Sequence, residues 1–197
     1  MKRATAALLV LLLPAGCVTV SPLPAPLECD TRLAGVWTLP PGTTRGDLMG
    51  PGDRIEVDAE CVARLHRADR PVVTFALRSF RADGRHLLVF DEPTMSALFE
   101  TPHHLDDEPP RADRGALFEY RLDGNRFDAV PADPDYAWSR IRTGAWPGRR
   151  EGDYTVHLEG PAEAVQAALR DPRLFPSGDV PEDHRLHLRR VASLPSP

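Results

Sequence analysis

The chain has 197 residues, 42% hydrophobic and 27% charged, with 21 Pro and 14 Gly, which excludes a fibre or a low-complexity tail and fits one ordinary globular domain. Its 24 Lys+Arg against 29 Asp+Glu give a formal charge of −5, and Lys2 is the sole lysine, so every other basic side chain is an arginine. A polyanion is repelled by that balance, and the short pairs Arg149-Arg150 and Arg189-Arg190 do not make a basic patch, so nucleic acid is not an expected partner.

Met1, Lys2 and Arg3 form a cationic start, Ala4 to Leu13 is an apolar run of about ten residues, and Ala15-Gly16 places two small residues before Cys17. This is the order of a secretory signal. At ~1.5 Å per residue a helix of that run covers about half of a ~30 Å hydrocarbon core, so it is too short for a permanent span. Cys17 directly after Ala15-Gly16 resembles the lipobox of bacterial lipoproteins, with Pro14 standing where that family has an aliphatic residue. The resemblance implies that residues 1–16 are removed and that the Cys17 sulfur receives a diacylglyceryl group, the new N-terminus being acylated with a fatty acid such as palmitate. By the same resemblance Val18, which is not aspartate, implies a protein anchored in the outer membrane and facing the periplasm. The alternative is an ordinary secretory signal that leaves a free Cys17.

Val18 to Leu27 carries Pro22, Pro24 and Pro26 in alternation, which favours an extended tether of ~3.1 Å per residue, reaching ~30 Å from a membrane. Residues 17–28 therefore read as a lipidated cysteine and Pro-rich spacer outside the fold, 29–193 as a single β-rich domain, and 194–197 as a tail. With Cys17 acylated, Cys29 and Cys61 remain as one pair in an oxidising compartment, and a disulfide is the expected state. A buried thiol at Cys61 and a metal pair are the alternatives.

Leu33 to Leu39 predicts a first strand. From Ile55 the odd positions Ile55, Val57, Ala59, Cys61, Ala63 and Leu65 are apolar while Glu56, Asp58, Glu60, Arg64 and His66 are polar, a period of two that predicts one half-buried strand with Cys61 inward. Val73, Phe75 and Leu77, then the turn pair Asp83-Gly84 and the run Leu87 to Phe90, predict a hairpin. A second hairpin is predicted from Phe118, Tyr120 and Leu122, the turn Asp123-Gly124, and Phe127 to Val130. Tyr154, Val156 and Leu158 predict a further strand, as do Leu186 and Leu188.

Helices fall between strands. Asp133 as N-cap, Pro134 at the first helical position, Trp138 with Ile141, and Gly144 as the stop predict one. Pro161 to Arg170, with Val165, Ala168 and Leu169 on one face, predicts another, and Thr94 to Phe99 a third. The fold class expected is mainly β (α+β): an antiparallel β-barrel or sandwich of about eight strands with two or three short helices.

Leu33-Ala34-Gly35-Val36-Trp37 resembles the Gly-x-Trp motif of lipocalins, which implies that Trp37 closes a barrel floor and that a small apolar ligand lies inside, with Trp37, Val57 and Phe75 as candidate lining residues. The same tryptophan is equally a plain core aromatic in another small β fold. His103, His104, Asp106, Asp107 and Glu108 lie between prolines and read as a solvated acidic loop, and His184 and His187 point to opposite faces of a strand, so no metal or other cofactor is expected. Gly-x-Ser-x-Gly, HExxH, Walker and GxGxxG patterns are missing, and Arg45-Gly46-Asp47 is a triplet that arises often by chance. Two functions are expected, neither enzymatic: a lipid-anchored module that contacts another envelope protein, or a lipocalin-like carrier of an apolar envelope ligand.

Overall fold

A computed structural model describes residues 17–43, 48–99, 109–152, 155–176 and 185–191. The expected signal segment, Arg45-Gly46-Asp47, the acidic stretch from His103 to Glu108, Tyr154, His184 and the tail 194–197 lie outside these residues. The chain is mainly β, as its patterning predicts, with a mixed sheet of twelve strands and three α-helices. Strand β1 is Cys17–Ser21, β2 Gly35–Thr38, β3 Arg54–Val57, β4 Val62–His66, β5 Val73–Ala76 and β6 Arg78–Ala82. They are followed by β7 Arg85–Asp91, β8 Gly115–Asp123, β9 Arg126–Pro131, β10 Arg149–Glu151, β11 Thr155–Glu159 and β12 Leu186–Val191. Helices α1 (Glu92–Phe99), α2 (Pro134–Arg142) and α3 (Ala162–Leu169) interrupt them.

Strand order runs β10-β11-β1-β8-β9-β12-β2-β3-β4-β5, with β7 also on β8 and β6 on β7. No ladder joins β5 to β6, so the sheet does not close into a barrel. Those two strands are instead consecutive in the chain, broken at Leu77, whose N–H donates to the Cys61 carbonyl at 2.7 Å. The sheet thus curls until Phe75 of β5 meets Phe90 of β7 edge to face, ring centroids 6.0 Å apart.

Two apolar clusters form on opposite faces of the sheet, and β7 and β8 serve both. Leu88, Phe90 and Tyr120 enter the inner cluster with Trp37, Ile55, Leu65 and Phe75, whereas Leu87, Val89 and Leu117 enter the outer one under α2 and α3. Burial on both sides is why Leu87 to Phe90 reads as an unbroken apolar run, not an alternation.

The second predicted hairpin forms; in the first, Leu87 to Phe90 is part of a strand that pairs with Arg78–Ala82, and not with the row Val73, Phe75 and Leu77, whose strand pairs with β4 instead. Ala82 pairs with Arg85, leaving Asp83 and Gly84 at φ 47° and 78°, the left-handed pair that matches the twist of the strands. In the second hairpin Asp123 itself pairs with Arg126, so the turn residues are Gly124 and Asn125 and not Asp123-Gly124. The single strand expected from Ile55 to Leu65 is two strands: Val57 pairs with Ala63 and Ile55 with Leu65. Asp58 makes the turn, its carboxylate accepting from the Val62 N–H at 2.8 Å while Cys61 adopts φ 59°. Both paired numbers are odd, so the hairpin preserves the period of two and hides its own turn. The helix at Pro134 is capped as expected, the Asp133 carboxylate accepting from the Asp135 and Tyr136 N–H groups.

The largest correction concerns residues 17–28. They are not a spacer: β1 lies between β11, which it pairs in parallel from Cys17↔Thr155 to Ser21↔Glu159, and β8, which it pairs antiparallel at Thr19↔Ala116 and Val20↔Gly115. Val18 and Val20 point into the outer cluster, Leu23 and Leu27 pack against it, and the Glu28 and Ser79 backbones exchange hydrogen bonds. Alternation of Val18 and Val20 with Cys17, Thr19 and Ser21 is a strand pattern that the prolines just beyond it conceal. Gly115 is needed at the junction, since a Cβ there would stand 2.2 Å from the Phe90 carbonyl oxygen.

If β1 is structural, Val20→Asp, at a position with no exposed area, abolishes the cooperative urea transition. Val20→Ala lowers stability by about 2 kcal/mol. A spacer tolerates both without change.

Candidate functional site

In the inner cluster the contacts around Trp37 form a plug of aromatic rings and arginine. Its indole N–H donates to the Leu33 carbonyl at 2.7 Å, its ring packs edge-on against Phe127, and the Arg190 guanidinium of β12 lies 4.5 Å above it. Arg190 also donates to the carbonyl of Arg32 in the 3-10 turn Thr31–Leu33, tying the last strand to the first turn of the inner layer. Gly35, at φ 135°, faces that arginine: a Cβ there would stand 3.3 Å from its Cδ and Nε. Beside this plug Asp30 accepts from Arg32 at 2.6 and 2.8 Å and from the Tyr120 hydroxyl at 2.6 Å. The Arg32 guanidinium holds the Asp30 carboxyl far below the usual carboxylate range, and burial together with the bond to Asp30 pushes the Tyr120 phenol up.

Val57 and Phe75, the other candidate lining residues, are buried in the same inner cluster as Trp37. Met49 adds to that cluster from the segment between β2 and β3. The three residues are therefore brought together, but as packing partners of Phe90, Phe127 and Leu65.

Cys29 and Cys61 form a disulfide, with sulfurs 2.03 Å apart. It fastens the segment after β1 to the β3–β4 turn. Closing a loop of sequence separation 32 corresponds to about 3 to 4 kcal/mol in the chain-entropy view. Non-reducing peptide mapping is expected to recover the Cys29–Cys61 cross-link, and reduction to lower the unfolding free energy from urea titration by that amount; free-thiol labelling of both cysteines in the native chain contradicts this.

Cys17 is half-buried at the first position of β1, and burial pushes its thiol up to about 11. Two residues on, the same sheet face carries a polar chain. The Thr19 hydroxyl meets His157 Nδ1, and His157 Nε2 lies 2.5 Å from a Glu151 carboxylate oxygen. Burial alone would raise Glu151, but hydrogen bonds from Arg149 and His157 outweigh it and hold the group below its ordinary value. An ionised Glu151 requires a proton on Nε2, so neutral His157 accepts from Thr19 at Nδ1. Hydroxyl, imidazole and carboxylate in this order are the parts of an activated nucleophile. Thr19 sits mid-strand between two paired neighbours, and its hydroxyl and Glu151 together satisfy both ring nitrogens of a buried histidine.

Burial, the largest effect, lowers the His157 pKa below its ordinary 6.5, and His86 shifts the same way through burial and the Arg32 charge. A depressed folded-state value means that the stabilisation is complete above pH 6.5 and is lost as pH falls through the folded value. Urea midpoints are expected to fall between pH 7.5 and about 5, before carboxylates titrate, and His157→Gln to flatten that slope. A midpoint that is level or rises towards pH 5 contradicts it.

The outer face of β8, β9 and β12 holds a cleft of about 230 Å³. Glu119, Arg121, Arg126, Asp128, Val130, Phe175, Pro176, Arg185 and His187 line it. Registers Arg121↔Asp128 and His187↔Asp128 place these three side chains in one row across the strands. Glu119, only 8% exposed, accepts from Arg85 at 3.4 Å and Arg121 at 3.5 Å, and His187 Nδ1 pairs with Asp128. Arg85 also donates to the Leu169 carbonyl at 2.7 Å and lies 5.5 Å over the Phe175 ring, fixing that wall. Sequence reading passes over this site because its arginines come from three separated segments and none forms a run. The hint in the sequence is the charged row Glu119, Arg121 and Asp123 in the second half of β8. A second cleft of about 420 Å³ lies between the Leu23–Leu27 segment and Ala76, Arg78 and Val89.

Among the described residues no group of three or more His, Cys, Asp or Glu is placed to hold a metal ion, and no helix is long and apolar enough to cross a membrane. Comparison with known proteins finds no matching family model, no matching curated protein and no matching solved structure.

Proposed function

We propose that this protein is a lipid-anchored module of the bacterial cell envelope, attached through Cys17 to the outer membrane and acting by offering its folded surface to another envelope protein. The observation that carries the choice of an interaction module over a carrier is the burial of the three candidate lining residues in one packed cluster. Trp37, Val57 and Phe75, where a ligand would lie, are packed against one another's neighbours in the inner cluster. The Cys29–Cys61 disulfide fits an oxidising compartment. Acylation has to act on the precursor before folding, because the folded Cys17 thiol is half-buried and poorly ionised. With Cys17 the first residue of β1, an acyl group there would hold the sheet within about a side chain's length of the bilayer, without the ~30 Å tether that an extended segment would provide.

The second reading is a carrier of a small apolar envelope ligand. It is supported by the Gly35-Val36-Trp37 segment, whose tryptophan is buried in the inner cluster with Arg190 over the indole. Metabolic palmitate labelling is expected to mark the wild-type chain and to vanish in Cys17→Ala; label that persists refutes the anchor. Native mass spectrometry of the whole chain released from detergent then separates the two readings. The interaction module gives the mass of the acylated protein alone, and the carrier adds a lipid-sized adduct that is lost on denaturation.

A further inference from the structure

Two of the three tryptophans, Trp138 and Trp146, are half-buried on α2 and the loop after it, whereas Trp37 is in the inner core. Ala137, with no exposed area, faces inward, so at ~100° per residue Tyr136 and Trp138 stand on the two flanks of α2 and Asp135, Ser139 and Arg142 form its outward ridge. On one flank Tyr136 meets Trp146 edge to face at 5.5 Å, with Arg140 5.8 Å over the Trp146 ring and Arg173 5.1 Å over the Tyr136 ring. On the other, Arg150 of β10 lies 6.0 Å over Trp138. The rings pack on the outer cluster and keep part of their area towards solvent. Net charge does not mark this face, since Arg173 is paired with Asp171, and Arg149 with Glu151 and Glu159. What marks it is indole, phenol and guanidinium together, side chains with an apolar body and a polar end that suit the headgroup layer of a membrane.

The strand registers put this face beside Cys17. Val156 of β11 pairs with Val18 on one side and with Arg150 on the other, and α2 lies against β1, β10 and β11. Residues paired across a ladder share a face, so Arg150 is on the outer side with Val18 and Val156. With strands ~4.8 Å apart, Arg150 stands about 10 Å from Val18, the neighbour of Cys17. We propose that the face formed by α2, its following loop and β10 rests on the bilayer, Trp138 and Trp146 entering the headgroup layer, a role that depends on Cys17 being the membrane anchor. That layer is ~5 to 7 Å deep on each side of the hydrocarbon, so a face about 10 Å from an acylated residue reaches it with a modest tilt of the domain. The anchor by itself lets the domain swivel, and a second contact here fixes its orientation. Trp, Tyr and Arg also suit a protein interface, but nearness to the anchor favours the bilayer.

The test is tryptophan fluorescence of the whole chain, reconstituted from detergent into vesicles of phosphatidylethanolamine and phosphatidylglycerol, with and without a phosphatidylcholine whose headgroup carries a nitroxide quencher. Flotation of the vesicles reports the anchor separately. Quenching by the nitroxide is expected in the wild type and is expected to fall at least about twofold in Trp138→Phe/Trp146→Phe, which leaves Trp37 as an internal reference. Circular dichroism confirms that the double variant is folded, and the two single variants, each expected to lose part of the quenching, serve if it is not. Tryptophans left unquenched in a chain that floats with the vesicles overturn the proposal while the anchor stands, and return this face to a protein partner. Quenching that is equal in the wild type and the double variant also overturns it, because Trp37 is then its source. A chain that does not float with the vesicles overturns the anchor and this role together.

Discussion

Five residues at the start of the described chain hold two parts of the molecule together. In the strand order, β10 and β11 reach the rest of the sheet only through β1, which pairs with β11 on one side and β8 on the other. Without it the three-residue β10 and the five-residue β11 would be a two-stranded fragment, which is marginal alone in water. The outer cluster depends on the same strand. Val18 and Val20 fill the space between Val156 and Leu158 of β11 and Val165, Ala168 and Leu169 of α3. Each buried valine contributes about 1.5 to 3 kcal/mol, a large part of the margin by which a domain of this size is stable.

The curl of the inner layer follows from a different constraint. One long segment, Val73 to Ala82, pairs with β4 through its first half and with β7 through its second, and the break at Leu77 lets it turn the corner. The Cys29–Cys61 disulfide and the Leu77 to Cys61 hydrogen bond pin this corner to the segment leaving β1. Elsewhere in the inner layer Arg190 stacks on Trp37 and donates to the Arg32 carbonyl, and Asp30 accepts from Tyr120. Arginine does this structural work throughout: its planar guanidinium stacks on Trp37 and Phe175 and donates to backbone carbonyls at the same time, which lysine cannot match. The near absence of lysine thus has a structural correlate, since many of the arginines are fasteners and few are left to form a basic field.

Local signals in the sequence were sound and long-range ones were not. Asp133-Pro134 set the start of α2, Asp83-Gly84 set the first hairpin, and the inward parity of Cys61 placed it for its disulfide. Each of these rests on neighbours within a few residues. The Ile55 to Leu65 pattern failed because a hairpin between odd-numbered partners keeps the same alternation, so periodicity cannot register the turn. The N-terminal strand failed because Pro22, Pro24 and Pro26 dominate its neighbourhood, while its two partners lie about 100 and 140 residues away. By alternation with Val156 and Leu158, His157 would face outward on a half-buried strand. It is 3% exposed because β11 is interior and a partner from β1 satisfies it. The arginine cleft was invisible for the same reason, its cations being adjacent only after β8, β9 and β12 have paired.

The placement of β1 decides what kind of object the protein is. A strand paired on both sides within the sheet makes residue 17 part of a rigid body, and any group attached there fixes the position of the whole domain; a spacer would leave the domain free to roam. Amide hydrogen exchange of the full-length chain, read at Val18 and Val20, tests this most directly. Protection that matches β8 and is lost only with global unfolding is the predicted result. Exchange at those amides as fast as in an unfolded peptide, while β8 stays protected, would contradict the account.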